Sequence, residues 1–402
     1  MGYDNWYVDY CGTSERQVLS EARALISTGL AAAGYKTVIA DDCWMAVRRT
    51  PRGQLTWNKA TFPDGIPALA AKIHAMGLKF GLYEDAGLRT CSLRPGDLGH
   101  YSADVATFKS WHVDLVKIDM CQFPKQSTFG QIVADFTQLG KDLAAAGIAY
   151  DEELPVKALF DFGDASPQFV QAVKISSANA AMWRVAPDER TSVRLALIEQ
   201  QRELLRLDDG HEVPLTDLVG TYANVVLRGF AVDLPLAGYA RPGHWNDLDV
   251  LVPGNPNYRW TDSQAVSQIS IWAELASPLI VSTDLAALSS DLLADLKNPA
   301  MIAIDQSGRQ GRQITSQGPV IAVGKPDPLG GTALLLVNMS PRASRFDVPL
   351  TQLGFHHASL SVTDIWPGRR WTVTGRFRYE LAPESASLFQ VRQRKPGPAR
   401  LR

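Results

Sequence analysis

The sequence predicts a (β/α)8 barrel followed by an antiparallel β-sandwich. Short apolar runs alternate with longer amphipathic stretches about eight times over the first 300 residues, the rhythm of a parallel sheet closed on itself. Several of these runs end in acids. Leu115-Val116-Lys117-Ile118 meets Asp119, Val38-Ile39-Ala40 meets Asp41-Asp42, Phe80-Gly81-Leu82-Tyr83 meets Glu84-Asp85, and Leu279-Ile280-Val281 runs on to Asp284. A carboxylate at the end of a buried strand is costly unless it is paired or working, and C-terminal strand ends are where such a barrel builds its active site. Past Asp305 the helical stretches give way to short β-branched runs split by turns such as Pro328-Leu329-Gly330-Gly331 and Trp366-Pro367-Gly368, which is sandwich patterning.

The elements follow in order. The aromatic stretch 3–8 reads as a first strand, and 14–33 as a helix capped by Ser14 and stopped by Gly34. Strands are expected at 37–40, 80–83, 115–118, 156–160, 182–184, 245–249 and 279–281. Helices are expected at 66–76, 103–111, 129–146, 192–207, 215–230, 264–276 and 289–297. The expected domains are a barrel over 1–305 and a sandwich over 306–393, with a basic, Pro-containing tail at 394–402 expected to be disordered.

Bulk properties exclude several classes. The 402 residues carry a net charge of -2 and no basic tract, which argues against nucleic acid or an anionic membrane as partner. No apolar run reaches membrane-spanning length. No G-x-G-x-x-G follows the first strand and no G-x-S-x-G is present, so dinucleotide binding and a serine elbow are disfavoured. The four Cys (Cys11, Cys43, Cys91, Cys121) include no C-x2-C pair and the seven His are scattered, so no metal site and no cofactor is expected. An even Cys count beside strand ends suggests two disulfides and an oxidising compartment, with four free thiols in a cytosolic chain as the alternative. The chain opens on Met1-Gly2-Tyr3-Asp4-Asn5-Trp6 with no leader visible; the expectation is a secreted protein whose leader is missing from this sequence.

Many strand-end acids, interleaved Trp and Tyr and no His-activated nucleophile leave glycoside hydrolysis as the matching chemistry. One carboxylate attacks the anomeric carbon and a second protonates the leaving oxygen. Any one of these acids alone could equally be a helix cap or half of an ion pair.

Ordered motifs across nearly the whole chain resemble glycoside hydrolase family 27, the α-galactosidase family of clan D. They are the opening Met1-Gly2-Tyr3-Asp4-Asn5-Trp6, Ala33-Gly34-Tyr35 with Asp41-Asp42-Cys43-Trp44, Gly81-Leu82-Tyr83-Glu84-Asp85-Ala86-Gly87 with Thr90-Cys91, Lys117-Ile118-Asp119-Met120-Cys121, Arg184 with Asp188, and Gly243-His244-Trp245-Asn246-Asp247-Leu248-Asp249 with Gly254-Asn255. The resemblance implies Asp119 as nucleophile and Asp188 as acid/base, with Arg184 beside the ring hydroxyls. It implies Asp41 and Asp42 on O4 and O6, Lys117 on the O3 side and holding Asp119 ionised, and Trp6 stacked on the sugar. Tyr83 would hydrogen-bond the nucleophile, while Trp245 and Asp247 would line the pocket. It implies disulfides Cys11–Cys43 and Cys91–Cys121, and carboxyl groups at 119 and 188 about 5–5.5 Å apart, the retaining geometry.

Departures bear on the substrate. The family's Cys-Glu-Trp-Gly after strand five is placed at Phe160-Asp161-Phe162-Gly163, so Phe160, Asp161 and Phe162 are expected at the sugar's O2, leaving no room for an N-acetyl group. Glu84 stands where a small residue is common, Tyr3 replaces a Trp, and a charged stretch 200–212 is extra. The expected activity is release of terminal α-D-galactosyl residues from a galactose-containing oligo- or polysaccharide. A β-L-arabinopyranosidase or an isomaltose-releasing dextranase is the alternative within the family, and a non-catalytic carbohydrate-binding protein the alternative outside it.

Overall fold

A computed structural model describes residues 1–164, 166–188, 222–258, 260–356 and 359–393. The expected helix 192–207, the start of helix 215–230, the charged stretch 200–212 and the tail 394–402 lie outside the described residues.

Eight parallel strands form one sheet: β1 (Gly2–Asp4), β2 (Thr37–Ala40), β3 (Lys79–Asp85), β4 (Leu115–Asp119), β5 (Ala149–Glu152), β6 (Met182–Arg184), β7 (Trp245–Asp247) and β8 (Ile280–Val281). They run in sequence order from β1 to β7, with β8 beside β1. The ring closes just past β7, where the Leu251 N–H donates to the Ile280 carbonyl and the Ser282 N–H to the Leu251 carbonyl, both at 2.7 Å. The register aligns Asp85 with Asp119 and Arg184 with Asp247, so charged side chains gather at one end of the barrel.

Local chemistry sets most boundaries. The Ser14 hydroxyl accepts from the Gln17 N–H, and Thr128 and Thr261 each complete a capping box, with Gln131 and Gln264. The expected helix 14–33 breaks at Gly29, whose φ of 81° is left-handed, giving helices Glu15–Ser27 and Leu30–Ala33. The expected first strand stops at Asp4, and Trp6–Asp9 is a helical turn; the Asp4 carboxylate accepts the Trp6 N–H at 2.8 Å and turns the chain. The expected strand 156–160 is a helix, Leu154–Phe162, with Pro155 in its first turn. Its buried side chains, Leu154, Pro155, Val156, Ala158 and Leu159, form a helical stripe that a short apolar run does not distinguish from a strand. The true fifth strand, Ala149-Tyr150-Asp151-Glu152, is too acidic to read as buried.

After helix Pro299–Asp305 the chain becomes antiparallel. The strands are β9 (Arg312–Gln317), β10 (Val320–Pro326), β11 (Thr332–Asn338), β12 (Ser344–Pro349), β13 (Leu360–Asp364), β14 (Arg370–Val373), β15 (Arg376–Leu381) and β16 (Ala386–Gln393). They form a six-stranded sheet, β14-β13-β16-β11-β10-β9, and a two-stranded sheet, β12-β15. Between the sheets Leu334, Leu336, Phe389 and Val391 pack on Phe346, Val348 and Phe377. Leu335, Val337 and Leu388 face the other way and join the barrel's core. The Trp366 indole N–H also donates to Ser270 Oγ of helix Asp262–Leu275 at 2.9 Å. Among the described residues no helix is long and apolar enough to cross a membrane.

Candidate active site

A cavity opens at the C-terminal ends of the strands. Trp6, Tyr7, Asp41, Asp42, Tyr83, Cys91, Lys117, Asp119, Glu153, Arg184, Asp188 and Asp249 line it. Lys117 and Asp119 share a face of β4 because strand side chains alternate; Tyr83 and Asp85 do the same on β3.

Asp119 is held at both oxygens. The Tyr83 hydroxyl donates to Oδ2 at 2.5 Å and the Met120 N–H to Oδ1 at 2.6 Å. Burial, then the nearby Asp188 carboxylate, push its pKa up, while Tyr83, the Met120 N–H and Lys117 pull the other way. Lys117 does less for Asp119 than the sequence suggested. Its ammonium bonds Asp41 Oδ2 at 2.8 Å and Asp4 Oδ2 at 3.2 Å, and these acids outweigh the cost of burying the cation. Its main effect is to neutralise the β1–β2 side. There, burial and the Asp41 charge lift Asp4 to about 7 and Asp42 to about 6. Asp42 is gripped from the loop after β3, by Thr90 Oγ1 and the Ser92 N–H, each at 3.0 Å.

Arg184 is the second buried cation. It reaches Glu153 and Asp188 at 3.2 Å, Asp249 at 3.1 Å and Asp247 at 3.8 Å, so β5, β6 and the segment after β7 meet on one guanidinium. Tyr7 donates to Asp249 Oδ2 at 3.1 Å. Burial, then the Asp119 charge, hold the Glu153 carboxyl well above its ordinary range.

Both disulfides are present, Cys11–Cys43 and Cys91–Cys121. The second abuts Asp119, with sulfurs 3.4 and 3.5 Å from its carboxylate oxygens. Asp85, Asp119 and these sulfurs bring ligand-type atoms within 4.8 Å of one another, but bonded sulfurs offer no thiolate to a metal. Asp85 instead accepts the Cys121 N–H at 2.7 Å and the Gly87 N–H at 2.6 Å, fastening the loops that carry the disulfide.

The structure thus brings Trp6, Asp41, Asp42, Tyr83, Lys117, Asp119, Arg184 and Asp188 to one cavity, and leaves other expected residues outside it. Trp245 begins β7, at the opposite end from the cavity. Asp247 sits behind Arg184 rather than on the surface, and Asp249, two residues on, lines the cavity instead. Phe160, Asp161 and Phe162 end the helix 154–162. Both rings are exposed, and Asp161 pairs with Lys157 at 2.6 Å. They cannot crowd the sugar's O2, because the residues that follow the true β5 are Glu153 and Leu154. Asp284 is exposed and caps a turn through the Ala286 N–H. Glu153 was missed because its strand was misplaced, although Asp151-Glu152-Glu153 repeats the acid-ended pattern of the other strands. Tyr7 carried no sequence signal.

The alpha galactosidase A family model matches residues 8–192 and 224–307. The chain belongs to this family. It is a glycoside hydrolase. It is 29% identical to alpha-galactosidase A of Aspergillus niger over 97% of this chain and 68% of that protein. Its fold matches alpha-galactosidase I of Mortierella vinacea at a TM-score of 0.79 and 23% identity, covering 97% of this chain and 96% of the other. It also matches a β-L-arabinopyranosidase of Geobacillus stearothermophilus at 0.79 and 18%, covering 98% and 97%, in that enzyme's complex with arabinose.

Proposed function

We propose that this hydrolase releases terminal α-D-galactosyl residues with retention, and that it acts outside the cytosol, where its two disulfides persist. The supporting observation is a cavity onto which Asp119 and Asp188 both open, lined also by Asp41, Asp42, Lys117, Arg184 and Glu153. Kinship with alpha-galactosidases makes galactose the sugar.

Asp119 attacks the anomeric carbon as the glycosidic C–O bond breaks, and Asp188 gives its proton to the leaving oxygen. Asp188, now a base, takes a proton from water, which displaces Asp119 and restores the starting configuration. The Tyr83 and Met120 donors fix the Asp119 carboxylate in the attacking orientation at no cost during reaction. Arg184 places Asp188 and Glu153 against the sugar, and its charge stabilises the base form of Asp188.

A panel of 4-nitrophenyl glycosides tests the reading. The α-D-galactoside should give the highest kcat/KM, above the β-L-arabinopyranoside, α-N-acetylgalactosaminide and α-glucoside. Faster turnover of the arabinopyranoside would move the assignment to that sugar, and no turnover of any would leave a binding protein. Asp188→Asn should lose on the order of 10²–10⁴-fold on a natural galactoside and far less on the 4-nitrophenyl substrate, which needs no protonation to leave; equal losses would remove Asp188 from the acid role.

A further inference from the structure

We propose that a second cavity, on the outer face of β5, is a binding site for a small primary ammonium ion with a short apolar body. The site lies between the barrel wall and the helix layer, and it stands whichever sugar the enzyme releases. β5 sends alternate side chains to opposite faces. Asp151 faces the barrel interior, where it meets the charges of Asp247 and Arg184. Tyr150 and Glu152 face the other way, into a cavity of about 150 Å³ formed with helices Phe129–Ala146 and Pro167–Asn179. A water molecule takes about 30 Å³ of liquid, so the space exceeds what one bridging water fills.

Glu152 sets the chemistry of the occupant. It is 4% exposed and its side chain lines the cavity. Among the described residues no cation pairs with it, and the Ser176 hydroxyl alone eases its burial. Burial pushes its carboxyl up to about 7. A buried carboxylate without a countercharge is costly, and a ligand that brings the countercharge removes that cost. The Tyr150 hydroxyl feels the Glu152 charge and makes no hydrogen bond with a described residue. It is free to accept from the same ammonium group. Gly140 leaves it room, since a side chain there would come within 2.6 Å of that hydroxyl.

The walls select the rest of the ligand. Phe136, Gly140, Ala144 and Ile175 are apolar. A polyol would leave hydroxyls unpaired against them, whereas a short alkyl chain gains by leaving water. Aromatic rings at 136 and 150 also suit a cation. Lys141, Ala144 and Asn179 are exposed and mark the open side. Lys141 is the charged group at that rim, and in water its repulsion is screened.

Calorimetric titration of the full chain at pH 8 tests the site. n-Butylammonium chloride should saturate one site. n-Butanol, with the same shape and no charge, should bind at least about tenfold more weakly. Glu152→Gln, close in shape but uncharged, should abolish that preference. Ala144→Leu, which fills the cavity and leaves Glu152 in place, should weaken the ammonium at least about tenfold. Melting curves show that both variants are folded. Asp119→Asn should leave ammonium binding unchanged, which separates this cavity from the acids of the barrel mouth. Equal affinity for the two probes makes the cavity a plain apolar void and overturns the proposal. So does ammonium binding that Ala144→Leu fails to weaken, or no binding of either probe. If the ammonium binds only after Lys141→Met, the Lys141 side chain is itself the countercharge and the proposal is wrong.

Discussion

The mouth of the barrel and the core of the sandwich bury side chains equally well and are built on opposite principles. Between the sheets of the sandwich, Leu334, Leu336, Phe346, Phe377 and Phe389 are fully buried and touch other apolar groups, so each gains free energy from leaving water. At the barrel mouth the buried side chains include Asp4, Asp41, Asp42, Asp85, Glu153 and Asp249, set against two cations, Lys117 and Arg184. Desolvation there opposes folding, and ion pairs only partly offset it. The contrast shows where the fold gives up stability for chemistry, and which substitutions should separate the two.

The largest effect should come from the mouth. Asp119→Asn should cut kcat on the order of 10⁴-fold with the fold intact, read as steady-state turnover beside an unfolding curve. Retained activity would remove Asp119 from the nucleophile role. The converse change is in the sandwich: Phe389→Ala should cost about 3–5 kcal/mol of stability in denaturant melts, with KM for a galactoside unchanged at a temperature where the variant is folded. A shift in KM would mean that the sandwich core does more than pack. Cys11→Ser/Cys43→Ser should cost about 2–4 kcal/mol, and melts with and without reductant would show it; no difference from the parent would make the bridge dispensable.

The mildest lever is pH. Burial lifts Asp4, Glu152 and Asp233 to about 7 and Asp42 to about 6, from 3.8 for the aspartates and 4.5 for the glutamate. Each binds its proton more tightly in the folded protein than in the unfolded chain. The resulting stabilisation is complete below about pH 4 and is lost as pH rises towards 7. Melting temperature should therefore decline between pH 5 and 7 as these buried carboxyls lose their protons. A flat or rising profile would show that they are better compensated than their burial suggests.

Much of this was legible in the residues. The Ser14 cap marks a helix start, and acids at the ends of β2, β3 and β4 mark the mouth, because both signals are local. The sandwich was legible from its β-branched runs and turns. Strand five was not, since hydrophobicity is a poor guide where Asp151, Glu152 and Glu153 are buried in the barrel. That error carried Phe160 to Phe162 into the pocket on paper and kept Glu153 out.

The sequence by itself determined the fold class, most of the order of elements, the chemical type of the site and most of its acids. Tertiary structure alone decided which acids share a cation. Arg184 gathers residues from β5, β6 and the segment after β7, and Lys117 reaches across to β1 and β2, because closing the barrel brings together side chains far apart in the chain. Such pairings depend on strand register and on which face each side chain takes, and neither is written in the spacing of a single strand.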